Sequence, residues 1–569
     1  MAFTQNNYRD ANVPYVTASQ LLRTSPVYYV KFGLVTGPLG TNSQVLPDEY
    51  ATGPILNPTK TRKRLMDNPT SVSNEINVVT SETTISSIQF KLMNSVPGSE
   101  GEITRIVTNY TMKNRRVTIY AGYQGFTEDQ FIPIYSGQIN NWQKSYDSTH
   151  YIFTVVDALK QLKGTILRGQ TNLTRDYVVG DTTIFVTGTD GFAESTDLHD
   201  GLDSRNYLRM GDSLYSYDSL TEISFSGIRL VQLNSNGTLE DEDHQAGEDI
   251  TNYVLYRGNP IDLILQIVLS TGNGTNGDYD ILPEGQGIGI PQDMVDITGF
   301  ESQRDIYVSE MVFSNFFSDQ TEALKFFQEN ILRQVNAYLF INRAGQLDIK
   351  LYYVPIGTLD TITLDNTNII GTPTFDANLF TGTNFFNEID IKFDYQPVQD
   401  FYVNQLLVED IGSQAKYEER STLEIDGKMI STFFGGDAIN TRMKSIYLSR
   451  FSEPPPIITC QTVYGNHLLT PGSPVFLNYS TIPNYVTGKD GDGPILCECV
   501  SVSPDFQNGV VNVTLLGIGF NNTKRYAAIG PDNLPLYGSA IDGQRLAYGF
   551  ITTDAGKMAG GDEGYLITP

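Results

Sequence analysis

At roughly 150 residues per domain, a chain of 569 residues holds about four domains, each large enough to bury a core. Lys and Arg number 38 against 65 Asp and Glu, a formal net charge of −27, and the charged fraction of 18% lies below the roughly 25% of ordinary soluble proteins. Nucleic-acid affinity comes from cationic side chains that release counterions, so this balance excludes a DNA-binding role, while an acidic wall would let DNA slide past.

The N-terminus, Met1-Ala-Phe-Thr-Gln-Asn-Asn7, has no basic stretch leading into an apolar one, and no run of about 18 apolar residues occurs, so a soluble product made in a cytoplasm and not exported by the usual signal is expected. To Lys163 the chain reads as sheet. Val27–Leu34, Ile85–Leu92, Arg116–Tyr120 and Tyr151–Val156 are β-branched or aromatic and partly alternating, which fits a barrel or sandwich. Asp157–Lys163, with Ala158, Leu159 and Leu162 at helical spacing, is expected to plug one end of that sheet.

From Thr171 to Tyr256 the texture changes to short strands cut by Gly, Asp and Asn, the mark of a small inserted all-β domain. Its Glu240-Asp-Glu-Asp-His244 loop lacks the interleaved glycine bend of a calcium loop and reads as a solvated segment. Helix signals follow. Asn259 and Pro260 set an N-cap and first turn ahead of Ile261, Leu263, Ile264, Ile267 and Val268, and Asp319-Gln-Thr-Glu322 has capping-box spacing before Ala323–Val335. Gly285-Gln-Gly-Ile-Gly289 has the glycines of a phosphate loop, but Pro291 follows, no strand precedes it and the lysine is missing, so it reads as a loop needing positive φ. Strand texture returns from Gln346 to Leu515, interrupted by a helix around Ala438 to Leu448. The end of the chain, from Thr523, is rich in Gly, Asp and Tyr. It holds a weak repeat, Tyr526–Asp532 against Tyr548–Asp554, read either as turns pinned by tyrosines or as a docking segment.

Chemistry is sparse. His150, His199, His244 and His467 are far apart with no His-Glu-x-x-His, no Gly-x-Ser-x-Gly elbow exists, and Cys460, Cys497 and Cys499 lack a nucleophile signature and read as buried structural thiols. A single Trp142 gives little platform for a carbohydrate cleft. No catalytic, metal or cofactor site is expected, and the chain is read as non-enzymatic.

Three stretches together resemble a known family. Phe90-Lys-Leu-Met-Asn94, Asn114–Tyr123, Ile134–Ile139 and Val156–Leu159 look like the first β-barrel of baseplate or tail-tip hub proteins of long-tailed bacteriophages. Asp181–Ile184, Gly191-Phe192, Gly211-Asp212, Tyr215–Tyr217, Gly237-Thr238 and His244–Gly247 are similar to a small β module of phage tail proteins, although Arg229-Leu230 and a longer spacer replace the usual Arg-Gly. Ile529–Pro535 and Gly564–Ile567 look like the C-terminal segments of tail-tip proteins.

The resemblance implies a mainly β, multi-domain chain with a smaller α-containing domain: a first hub-type β-barrel at 1–168, an inserted small all-β domain at 169–257, a helix-containing middle domain at 258–350, a second hub-type barrel at 351–522 and a docking segment at 523–569. It further implies a homotrimer that mates a sixfold tail tube to a threefold tip. Its partners would be a distal tail or tail-tube protein, a tape-measure protein and a tail fibre or receptor-binding protein. DNA would pass through the lumen without specific binding. The expected location is the virion, at the tail tip or baseplate, after assembly in the host bacterial cytoplasm. Lumen-facing residues are expected to be net acidic, and long β edges to be paired across subunits. Tyr526, Tyr537, Tyr548 and Tyr565 are the interface candidates. Two other readings stay open: an adhesin of the tail tip that recognises a host surface glycan or protein, and a tail-associated murein hydrolase.

Overall fold

The computed structural model describes residues 26–33, 35–36, 43–44, 49–56, 62–94, 100–192, 206–211, 213–231, 241–283, 285–318, 320–342, 344–352, 362–376, 385–397, 400–484, 489–518, 549–551 and 565–568. The protein is mainly β and multi-domain, as the sequence indicates. The chain divides into two compact units, 1–520 and 521–569.

Alternation of apolar residues builds the first sheet. In Ser87–Met93, Ile88, Phe90 and Leu92 are buried while Ser87, Gln89 and Lys91 are exposed, the period of two that a half-buried strand requires. Seven strands lie in the order Arg62–Lys63, Glu49–Ala51, Pro26–Phe32, Arg116–Tyr123, Ile132–Lys144, His150–Val156, Ser87–Met93. Past Lys63 the chain turns along the last of these. The Asp67 and Thr70 amides donate to the Lys91 and Gln89 carbonyls, and the Met93 amide donates to Leu65, so the ends of the sheet meet and close a barrel. Inside, Phe90 stacks on Phe153 at 5.2 Å, and Phe32 stands edge-on to both.

The Ala158–Lys163 segment is a short 3₁₀ helix capped by Asp157, but it does not plug this barrel. Ala158, Leu159 and Leu162 belong to the central hydrophobic core instead, because the chain turns away from the barrel at Asp157 toward the Pro260–Leu269 helix. Asp157 itself is buried and accepts from the Ser86 amide at 2.6 Å and the Ser86 hydroxyl at 2.7 Å.

The inserted module has its own core of Leu173, Tyr177, Ile184, Leu208, Met210, Tyr215, Phe225 and neighbours. Its main sheet runs Gln170–Asn172, Asp249–Gly258, Asn206–Met210, Ser213–Tyr217, Arg229–Leu230. The far half of Asp249–Gly258 leaves the module and pairs with Phe313–Phe317, which ties the insertion to the central body.

The helix Pro260–Leu269 begins as its residues dictate: Asn259 Oδ1 accepts from the Ile261 amide at 3.0 Å, and Pro260 occupies the first turn. Ile261, Leu263, Ile264, Leu265, Ile267, Val268 and Leu269 are all buried, so this helix is apolar on every face but the one that carries Asp262 and Gln266, and it forms the centre of the largest core. The Gly285–Gly289 loop that follows has positive φ at both terminal glycines, +85° and +72°. The helix at 323–335 starts three residues later than the capping box requires. Glu322 is extended at φ −69°, ψ 134°, because Thr321–Glu322 pairs with Thr165–Ile166, and Asp319 lies outside the described residues. Its middle, Gln328–Leu332, is π-helical.

A second barrel, left open between its end strands, follows in the order Ile362–Asp365, Pro474–Asn478, Ile495–Asp505, Val510–Leu516, Ile457–Val463, Ile369–Asp376. Its first and last strands are consecutive, joined through a turn in which the Asn368 amide donates to Asp365, and Tyr479 donates from its hydroxyl to the Gly371 carbonyl at 2.7 Å across the gap. The interior is held by Ile458, Val475, Leu477, Val511 and all three cysteines. Burial pushes the Cys460 thiol up to about 12 and the Cys497 and Cys499 thiols higher still, consistent with inert packing groups. The two barrels touch directly: Tyr464, Leu468 and Phe506 pack into the first barrel's core, the Tyr28 and Tyr464 hydroxyls lie 3.1 Å apart, and Asn74–Glu75 adds to the Ile495–Asp505 strand.

Between the central core and the second barrel lies a buried ionic joint. The Arg450 guanidinium, on the helix Gly436–Phe451, pairs with Glu498 and stacks 3.8 Å from the Tyr352 ring centroid. Lys350 Nζ donates to Ser473 Oγ at 3.2 Å, and burial pushes its amine down to about 8. Gly472 is obligatory here, since a Cβ would sit 1.3 Å from the Tyr338 hydroxyl and φ is +74°.

In the second unit, Gly549–Ile551 and Tyr565–Thr568 form an antiparallel ribbon in which Tyr565 pairs with Ile551.

Candidate partner interface

Tyr526, Tyr537 and Tyr548 lie outside the described residues, and Tyr565 opens the terminal strand of the 521–569 unit. Nor are the histidines brought together. His150 faces Asp67 at 3.6 Å on the first barrel, His244 lies between Tyr215 at 3.2 Å and Glu248 at 3.0 Å in the insertion, and His467 bonds the Tyr464 carbonyl at 2.6 Å at the junction of the barrels. His199 is outside the described residues. Among the described residues no group of three or more His, Cys, Asp or Glu is placed to hold a metal ion.

A different feature stands out, in a three-stranded sheet ordered Phe401–Glu409, Glu388–Gln396, Thr422–Asp426. The middle strand anchors it, with Ile389, Ile391 and Phe393 buried in the central core beside Leu423 and Ile425. The two edges are treated differently. Along Thr422–Asp426, Arg333 Nη2 donates to the Glu424 carbonyl at 2.8 Å and Gln334 Nε2 to the Asp426 carbonyl at 3.1 Å, so side chains from the helix cover that edge. Beyond Phe401–Glu409 no further strand is paired among the described residues.

The open edge is long and apolar. Its nine residues expose Phe401 at 45%, Val403 at 53% and Leu407 at 53%, all on one face by the period of two. Ile411, at the start of the next helix, is 71% exposed, and that helix is capped by Asp410 accepting from the Ser413 amide. Long, unpaired, apolar edges are templates for pairing with another chain, and natural proteins otherwise blunt them with charge, proline or a bulge. None of the three is present between Phe401 and Val408.

The ribbon is held stiff at its base. Gln405 donates to Asp390 at 2.7 Å, and Asn404 donates to Asp394 at 2.7 Å. Burial works to raise the Asp394 carboxyl, but hydrogen bonds from Thr432 and Asn404 outweigh it and hold the group below its ordinary value. Tyr395 and Tyr402 rings lie 4.9 Å apart, and the Tyr395 hydroxyl bonds Asp400 at 2.6 Å. A rigid ribbon loses little entropy when a partner strand adds to it. Reasoning from sequence passed over this element, although two apolar runs flanking Pro397-Val-Gln-Asp400 are a hairpin signal.

The solved structures to which the chain is similar include phage and prophage tail proteins. The 43 kDa tail protein of prophage MuSo2 from Shewanella oneidensis shares 11% identity over 87% of this chain and 99% of its own, with a TM-score of 0.34. A tail protein from Neisseria meningitidis MC58 shares 9% over 88% and 99%, also at 0.34. The prophage tail protein gp18 of Listeria monocytogenes EGD-e shares 9% over 86% and 94%, at 0.33. No protein-family model matches the chain, and the search of curated proteins finds no relative.

Proposed function

We propose that this chain is a structural virion protein, the trimeric hub of a phage tail tip or baseplate. The observation that carries the reading is the pair of curled sheets, each wrapped over its own core and packed directly against the other within one chain. Three copies of a two-barrel subunit present six similar units in a ring, which is the geometry needed to mate a sixfold tube to a threefold tip. The modules at 1–168 and 351–522 supply the ring, the insertion at 169–257 and the middle at 258–350 extend from it, and 523–569 docks on a neighbour. The open Phe401–Glu409 edge is the subunit contact, a strand waiting for a partner in a second copy.

In this role the hub adapts tube to tip, anchors fibres and gates DNA exit, in contact with a distal tail or tube protein, a tape-measure protein and a fibre or receptor-binding protein. Part of the net charge of −27 per copy lines such a lumen, so that DNA passes without being held. The mechanism is mechanical and electrostatic and uses no active site.

The test is location and copy number in intact particles. Virions carrying a peptide tag at the end of this chain, decorated with gold-labelled antibody, are expected to show label only at the tail tip, with three copies per tail. Label along the tube, or on the capsid, would reject the assignment.

A further inference from the structure

A cavity of about 850 Å³ opens where the inserted module, the 323–335 helix and the tip of the Glu388–Gln396 and Phe401–Glu409 ribbon meet. Its size lies within the roughly 300–1,000 Å³ of small-ligand sites, and junctions between modules are where such sites form. The floor is aromatic. Phe316 stacks against Tyr253 at 5.9 Å, Phe317 meets Phe326 edge-on at 4.9 Å, and Tyr395 stands in the wall.

The charge pattern inverts that of the whole chain. Arg209, Lys325, Arg333 and Lys428 line the cavity with Glu329, Asp400 and Asp426. Arg209, Arg333 and Lys428 are half-buried, whereas all three carboxylates are exposed, so the inner part is cationic and the acids stand at the rim. Arg209 Nε donates to the Gly211 carbonyl at 2.8 Å; Arg333 Nη2 donates to the Glu424 carbonyl at 2.8 Å, and Lys428 Nζ lies 5.0 Å from the Tyr395 ring centroid. Arg333 and Lys428 take part in no ion pair among the described residues, and Arg333 Nε is buried without a hydrogen-bond partner. In a chain of net charge −27, Arg333 and Lys428 stand half-buried in a recess without a carboxylate partner, an arrangement that favours an incoming anion.

We propose that this cavity binds an acidic sugar, a di- or trisaccharide bearing a carboxylate or phosphate. The anionic group lies between Arg333 and Lys428, and the ring faces lie on Phe316 and Tyr395. Nucleic acid is disfavoured by the acidic rim. An acidic polypeptide would satisfy the cations but would leave the aromatic floor without ring faces to stack. The site shares the ribbon tip, at Tyr395 and Asp400, with the proposed subunit contact, and it would add a direct contact with anionic surface polymer to that structural role.

Calorimetric titration of the full-length protein tests this with digalacturonic acid, trehalose 6-phosphate, neutral cellobiose and cellotriose, and a hexa-aspartate peptide. Saturable binding of either anionic sugar, none of cellobiose or cellotriose, and weakening at high salt are expected; whichever anionic sugar binds more tightly identifies carboxylate or phosphate as the preferred group. Lys428→Gln is expected to lower affinity about tenfold, the loss of one charged contact, with the melting temperature and oligomeric state unchanged. Lys91→Gln, on the first barrel, should change nothing. The proposal is overturned if no acidic sugar binds at millimolar concentration, if Lys428→Gln leaves affinity unchanged, or if hexa-aspartate binds more tightly than the sugars, which would make the occupant an acidic polypeptide.

Discussion

The joint of Arg450 and Glu498 gives the sharpest test of what holds the central body to the second barrel. Both side chains are 3% exposed, and Arg450 Nε and Glu498 Oε1 are buried with no other hydrogen-bond partner, so the pair is nearly desolvated. Two buried charges in one contact repay their dehydration chiefly through each other, with Lys350 adding to the field at Glu498 and the Tyr352 ring to that at Arg450. Arg450→Met leaves the Glu498 carboxylate facing only the Lys350 amine, and breaking such a pair costs about 3–5 kcal/mol. Removing both charges, as Arg450→Met with Glu498→Leu, replaces the pair by apolar groups of similar size and is expected to return stability to within about 1.5 kcal/mol of the parent. Lys350 keeps Ser473 and the nearby Asp348 in that variant. Urea unfolding of the full chain, followed by near-ultraviolet circular dichroism, reads the cycle. If the single variant loses less than about 1 kcal/mol, or the double variant is no more stable than the single, the pair is not the energetic link described here.

Three further outcomes are expected. Lys350 is buried, and its amine is depressed to about 8 from an unfolded value near 10.5, so the unfolded chain binds the extra proton in that window and stability rises with pH between about 8 and 10.5. The rise is on the order of 3 kcal/mol, and calorimetric melting of Lys350→Met should lack it. Burial raises the Asp157 carboxyl to about 6 against the bonds from Ser86, so its contribution is fully present below pH about 4 and is lost as pH rises through 6; Asp157→Asn should flatten that slope in melts taken from pH 4 to 7. Val403→Lys with Leu407→Lys, both on the exposed face of the open edge, should abolish self-association in sedimentation experiments while changing monomer stability by less than about 0.5 kcal/mol.

Local rules were legible wherever one chemical signal dominates. The Asn259-Pro260 start of the buried helix, the positive φ of Gly285 and Gly289, the alternation of Ser87–Met93 and the burial of all three cysteines follow from residue type alone. What sequence missed depends on which surfaces meet. The spacing of Ala158, Leu159 and Leu162 says helix but does not say which core receives it, and the Asp319–Glu322 box gave way because a strand pairing at Thr321–Glu322 competed for the same backbone. The open edge was passed over because Phe401–Glu409 carries apolar residues on both faces and so lacks a clean alternation. The cavity at Arg333 and Lys428 gathers residues from distant segments and has no linear signature.

The central claim is tested most directly by the mass of the purified protein in solution, measured by analytical ultracentrifugation across micromolar concentrations and followed by negative-stain imaging of the same sample. A species three times the 63.2 kDa chain is expected, imaged as a ring with threefold symmetry and six outer units. A strictly monomeric or dimeric species throughout, with no threefold particles, would contradict it.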